Sequence, residues 1–252
     1  MYSAPAQETK FNTLVNRLNS KTPGKLTEIE LRTFEKEVAD VVRANWTLGT
    51  LLKGAVAAFR SDIEAINKWY RQILDQDPQY LIGLANYAVS LAKAGAFHQS
   101  LEQAIVVWSA PGGRQLHKFA MVLMEVGMPA GKFIWLDEHI SKDENDVDVH
   151  AVMIVRDVAE YMRDHAISED ALSRATQIME NVLLEQNCFA PVMKVALIPA
   201  EDGEHLWMKY GVDKLVADVV KMNQAFADRV VMADIPDSVL SRVTLAVSRV
   251  EK

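Results

Sequence analysis

The sequence predicts a mostly α-helical chain of antiparallel helix hairpins that ends in a small β-β-α-β unit. Three observations carry this. The small residues Gly54 and Ala88 stand 34 residues apart and Ala120 follows 32 further on, the period of a helix–turn–helix repeat. Apolar residues recur at i, i+3 and i+4 as far as residue 186, which is one face of a helix. After Asn187 the pattern changes to branched apolar residues that alternate with polar ones, as strands require.

The elements follow in order. Residues 7–20 place Phe11, Leu14, Val15 and Leu18 on one helical face, and SKTPGK breaks that helix. Thr27 and Glu30 form a capping box, in which each side chain satisfies an orphan backbone N–H. The helix it starts runs through Leu31, Phe34, Val38 and Val42 to about Ala44. Its expected task is to cover the apolar face of the first hairpin. Three hairpins then span 48–78, 80–111 and 114–140. Gly54, Ala88 and Ala120 lie midway along the first helices, where a small side chain lets the second helix approach. Ala57, Leu91 and Leu123 follow on the same face. The turns are expected at Ser61, Gly95 and Gly127. Second helices carry Ile66-Tyr70-Ile73, Phe97-Leu101-Ile105 and Phe133-Leu136. Asp77-Pro78 stops the first hairpin.

Residues 137–148, DEHISKDENDVD, read as an acidic loop. Two longer helices are expected over about 147–164 and 168–186, the second starting at Ser168, and here the repeat period is lost. Val192–Ile198 and His205–Val212 read as a strand hairpin around PAEDGE. Residues 213–228 read as a helix capped by Asp213, with Leu215, Val216, Val219, Met222 and Phe226 on its apolar face. Residues 239–250 read as a third strand. So small a sheet should pack on the helical part or pair with a second copy of the chain.

Residues 46–145 resemble the tetratricopeptide repeat, whose units place small and large apolar residues at these positions. The second hairpin carries the pattern most fully, in Leu84, Tyr87, Ala88, Leu91, Gly95, Phe97, Ala104 and Val107. Ile66 departs from it in the first hairpin, as do Pro129 and Lys132 in the third. The resemblance implies a concave groove lined by the first helices. It also implies that Asn86, Arg114 and Lys118 stand where some family members hold a peptide's terminal carboxylate, which suits an amide and two cations. The first repeat offers Leu51 and Ala55 where that clamp would have a lysine and an asparagine. The implied function is an adaptor or chaperone-like module that binds another protein or peptide. The alternative is a regulatory subunit or enzyme with a site near 188–212. The expected organisation is a helical domain over 1–186 (capping helices 1–45, repeats 46–145, two longer helices 146–186) and an α+β domain over 187–252.

Composition narrows the function classes. A net charge of −7 and the absence of a basic run argue against nucleic acid. No run of apolar residues is long enough to span a bilayer, and the N-terminus lacks a signal-peptide pattern. The lone Cys188 suits a reducing, cytoplasmic compartment. Catalytic signatures are lacking, and neither a cofactor nor a metal is expected. His139, Asp143, Glu144, Asp146, Asp148 and His150 could ligate a cation, but the glycine and distal glutamate of a calcium loop are missing. Cys188 reads as a buried thiol, and His205 among acidic residues reads as a loop histidine. Met121, Met124 and Met128 near Trp135 read as core filling before they read as a groove. The C-terminal strands are the candidate for homodimer formation.

Overall fold

The computed structural model describes residues 4–21, 26–140, 147–189, 191–201 and 203–250. Among them the chain is mostly helical, with twelve α-helices and one three-stranded sheet near the C-terminus. It divides into two compact units, Met1–Arg114 and Gln115–Lys252.

The first unit holds α1 (Ala4–Asn19), α2 (Glu28–Ala44), α3 (Trp46–Phe59), α4 (Ile63–Leu74), α5 (Leu81–Lys93) and α6 (Phe97–Ser109). The capping box forms as the residues dictate: the Thr27 side chain accepts from the Glu30 N–H and the Glu30 carboxylate accepts from the Thr27 N–H. Asn45 ends α2 and caps α3 in one residue. The buried stripe of α2 is Leu31, Phe34, Val38 and Val41. Val41 joins that stripe, and Val42 is half-buried against the same core, beside Gly49 of α3. Gly54 lets α4 approach α3, since a Cβ there would stand 2.4 Å from the ring of Tyr70. Tyr70 is fully buried, stacks on Tyr87 and shares a hydrogen bond with Ser90 of α5. That contact joins the first hairpin to the second. On the other side of α3, Leu14 and Leu18 of α1 enter a core with Phe34, Leu52 and Phe59.

The second unit holds α7 (Phe119–Gly127), α8 (Phe133–His139), α9 (Val149–Asp164) and α10 (Glu169–Glu185). The sheet and its helices follow: β1 (Val192–Ala200), β2 (Gly203–Val212), α11 (Val216–Met232), α12 (Asp237–Leu240) and β3 (Val243–Arg249). Strand order is β1-β2-β3, with β1 antiparallel and β3 parallel to β2. Leu206, Met208 and Tyr210 face inward and are fully buried.

One turn recurs along the chain. Ser61, Gly95, Gly131, Ala166 and Asn187 all have positive φ. In each case the next N–H donates to a carbonyl five residues back: Asp62 to Ala57, Ala96 to Leu91, Lys132 to Gly127, Ile167 to Met162 and Cys188 to Leu183. This is the Schellman closure of a helix end. It corrects two expectations. The third hairpin turns at Gly131, not at Gly127, because α7 runs through Gly127, whose missing Cβ makes room for Leu136. The period also survives beyond residue 145, since the α9–α10 turn at Ala166 falls 35 residues after Gly131.

The unit boundary differs from the composition change at Asn187. Within the second unit the sheet is bolted to helices: Tyr210 Oη donates to Pro129 O at 3.1 Å, and Tyr161 Oη on α9 donates to Glu204 O at 2.6 Å. Helix α11 is not capped by Asp213. It starts at Val216 with Leu215 before it, and both are solvent-facing while Val219, Met222 and Val230 are buried. No helix among the described residues is long and apolar enough to cross a membrane.

Candidate functional site

A groove opens in the first unit between α1, α3 and α5, with about 560 Å³ of free space. Helix α3 lines it with Leu51, Leu52, Ala55 and Phe59, and α1 with Phe11, Val15, Leu18 and Asn19. Helix α5 supplies Asn86, Val89, Ser90 and Lys93, which recur at three- and four-residue steps and so share one face. Asn86 and Lys93 are its polar pair, two turns apart.

Lys93 is half-buried. Its ammonium donates to Asn19 Oδ1 at 2.6 Å and sits 5.1 Å from the centre of the Phe59 ring. Among the described residues no carboxylate pairs with it. Burial therefore pushes its pKa below the ordinary 10.5. The ammonium retains donors that Asn19 does not use. The Asn86 amide donates to Ile82 O at 2.8 Å within its own helix, which leaves its second N–H available.

The two other residues of the expected clamp are placed differently. Arg114 is exposed in a short 3-10 turn, Gly113–Gln115, with its guanidinium over Trp108. Lys118 is exposed and left-handed (φ 60°) at the N-cap of α7. The helix thus starts at Phe119, after both cations, whereas the clamp would have them on its face. Pro111-Gly112-Gly113 and the left-handed Lys118 keep α7 from extending back over the preceding segment, which makes only the 3-10 turn. Lys93 is the cation that sequence reasoning missed. Its spacing of seven from Asn86 was visible, but the Phe59 and Asn19 environment that singles it out is formed by the fold.

A second cavity lies between α2, α3 and α4, with about 600 Å³ of free space. Trp69 is flanked there by Lys53 at 4.2 Å and Lys68 at 4.8 Å. This cavity already holds two carboxylates beside its cations: Glu35 pairs with Arg60 at 2.9 Å, and Asp62 accepts from the Ala65 N–H. The α1–α3–α5 groove is therefore the better candidate for a charged ligand.

The remaining candidates are quieter. Asp143, Glu144 and Asp146 lie outside the described residues. His139 stacks on Trp135, and Asp148 caps α9 by accepting from the His150 N–H. No group of three metal-capable side chains occurs among the described residues. Cys188 is buried, 3.7 Å from Met222 Sδ, and burial raises its thiol pKa. That suits a structural thiol. Of the three methionines expected to fill the core, Met124 is buried, while Met121 and Met128 are half-buried.

Comparison with protein-family models, curated proteins and solved structures finds no match.

Proposed function

We propose that the chain is a tetratricopeptide-like repeat protein acting as an adaptor or chaperone-like module. The α1–α3–α5 groove holds a peptide or helix of another protein through an anionic group. The observation that carries this reading is Lys93: an ammonium set in an apolar groove, without a carboxylate, beside an amide on the same helix face. Burial of an uncompensated cation is unfavourable. A carboxylate from a partner relieves it with charge-assisted hydrogen bonds, and the half-buried Phe11, Val15, Ala55 and Val89 supply apolar contact along the chain that carries it.

The test is a displayed-peptide selection against the full chain, followed by calorimetry on the enriched peptides with free and amidated C-termini. Selected peptides are expected to carry a C-terminal or acidic carboxylate. Lys93→Met should weaken them by about 10- to 100-fold, the worth of a hydrogen bond to a charged group. Asn86→Ala should weaken them less, and the Arg114→Ala/Lys118→Ala pair should have little effect. If the pair abolishes binding and Lys93→Met does not, the ligand lies on the segment ahead of α7 and this reading is wrong.

A further inference from the structure

We infer that β1 is a self-pairing edge, through which two copies of the chain form one continuous six-stranded sheet.

The argument starts from which backbone groups point outward. Leu206 N–H donates to Arg242 O and Val250 N–H donates to Val212 O. The even-numbered residues of β2 therefore bond toward β3, and the odd-numbered ones toward β1. Trp207, Lys209 and Gly211 stand opposite Ala196, Lys194 and Val192. In an antiparallel ladder, opposed residues that bond at all bond to each other. Hence Val192, Lys194 and Ala196 spend their N–H and C=O groups on β2. Met193, Val195 and Leu197 present theirs at the free edge, and among the described residues nothing accepts or donates to them.

The opposite edge of the sheet is blocked at its centre. Val247 in mid-β3 donates to Asn223 Oδ1 at 2.8 Å and accepts from Asn223 Nδ2 at 2.9 Å. The side-chain amide takes the place of a neighbouring strand there. With β3 blocked at its centre, β1 is the open edge, and a two-fold pair consumes it. This predicts a closed dimer rather than a fibre.

The segment PVMKVALIP is also matched to itself. Pro191 and Pro199 lack N–H groups, fall on the outward-facing phase and lie symmetrically about Val195. Pairing centred on Val195 sets Met193 against Leu197 of the second copy and proline against proline, so the missing donors fall together at the two ends of the ladder and Met193, Val195 and Leu197 exchange both of their bonds. Lys194 then faces Ala196. Slipping so that Lys194 meets its own copy opposes like charges and sets Leu197 against Pro191. Slipping the other way sets Met193 against Pro199. Only the Val195-centred register leaves Met193, Val195 and Leu197 fully paired, since either slip leaves the carbonyl of Leu197 or of Met193 facing a proline without an N–H. An unrelated extended peptide would have no reason to share this symmetry.

The experiment is sedimentation of the full chain from micromolar to submillimolar concentration. Wild type should show a reversible monomer–dimer equilibrium. Val195→Pro removes two hydrogen bonds at the two-fold and should raise the dissociation constant about thirty-fold, with circular dichroism reporting whether the fold persists. Independently, Val195→Cys should cross-link two chains on mild oxidation, since hydrogen-bonded antiparallel pairs have Cα atoms about 5.5 Å apart, within disulfide reach. Lys194→Cys should not. A wild-type monomer at every concentration, a dimer that survives Val195→Pro with the fold intact, or cross-linking at 194 in place of 195 would each overturn the proposal. Should Val195→Pro unfold the chain, the cross-linking pair still decides it.

Discussion

Replacing Gly54 by alanine sets two effects of known sign against each other. Alanine in a helix interior is favoured over glycine by about 1 kcal/mol. At Gly54 the added Cβ would lie 2.4 Å from Tyr70 Cε2. The ring has nowhere to go: it is 1 % exposed, stacks on Tyr87 at 5.1 Å and is hydrogen-bonded to Ser90 at 2.8 Å. Overpacking of this kind costs ~1–3 kcal/mol. The sum is a net loss of about 1 kcal/mol. In a Tyr70→Leu background the ring is gone, and Gly54→Ala should instead stabilise by about 1 kcal/mol. Urea denaturation followed by circular dichroism measures all four corners of the cycle, at equal m-values. The same sign for Gly54→Ala in both backgrounds would refute the close α3–α4 approach as the reason for glycine.

Three further outcomes are expected. Ala166 is exposed with φ 52°, so Ala166→Gly relieves about 1–2 kcal/mol of left-handed strain against ~0.4–1 kcal/mol of glycine's greater freedom when unfolded. Urea denaturation should show a net gain, and a loss would contradict that backbone. The Glu30 carboxyl is held down to about 2 from 4.5, first by the Lys21 ammonium and then by the Thr27 N–H and hydroxyl. Its pKa is depressed on folding, so its contribution is full above pH 4.5 and is lost as pH falls toward 2. The stability difference between wild type and Glu30→Gln should shrink over that window, and a difference unchanged at pH 2 would rule out the ionised cap. Asn223→Leu should destabilise by about 1–2 kcal/mol and, by opening the β3 edge, turn sedimentation from a single dimer step into open-ended association. Unchanged association would mean that the edge is blocked by something other than this amide.

Much of the fold was legible because its signals are local. The capping box needs only Thr27 and Glu30, and the inward set Leu206, Met208 and Tyr210 follows from strand alternation. The third hairpin misled because MEVGMPAGK offers two glycines four residues apart. Only the position of Leu136 decides that Gly127 stays helical and Gly131 turns. The end of the period was misjudged for a related reason: Ala166 occupies a left-handed turn without being glycine, so composition hides it. The candidate site was half legible. Asn86 lines the groove, but Arg114 and Lys118, which the resemblance implies on a first helix, precede the start of α7 at Phe119. Lys93 stands out only once Phe59 and Asn19, 34 and 74 residues away, are brought beside it. The asymmetry of the sheet edges was likewise hidden, since Asn223 reads as an ordinary polar residue on α11.

The recurring helix closure also bears on the order in which the molecule assembles. Each hairpin turn is completed by a bond spanning five residues, so nearly all the information for making it is held within one short stretch of chain. The β2–β3 pair is of the opposite kind: Leu206 meets Val243 in parallel, across the whole of α11. Loops of that length close late, after local structure has formed. A nascent or refolding chain should therefore pass through a stage in which the hairpins are complete and the third strand is still searching. During that interval Asn223 has not yet met Val247, and both edges of the β1–β2 ribbon are open to strangers.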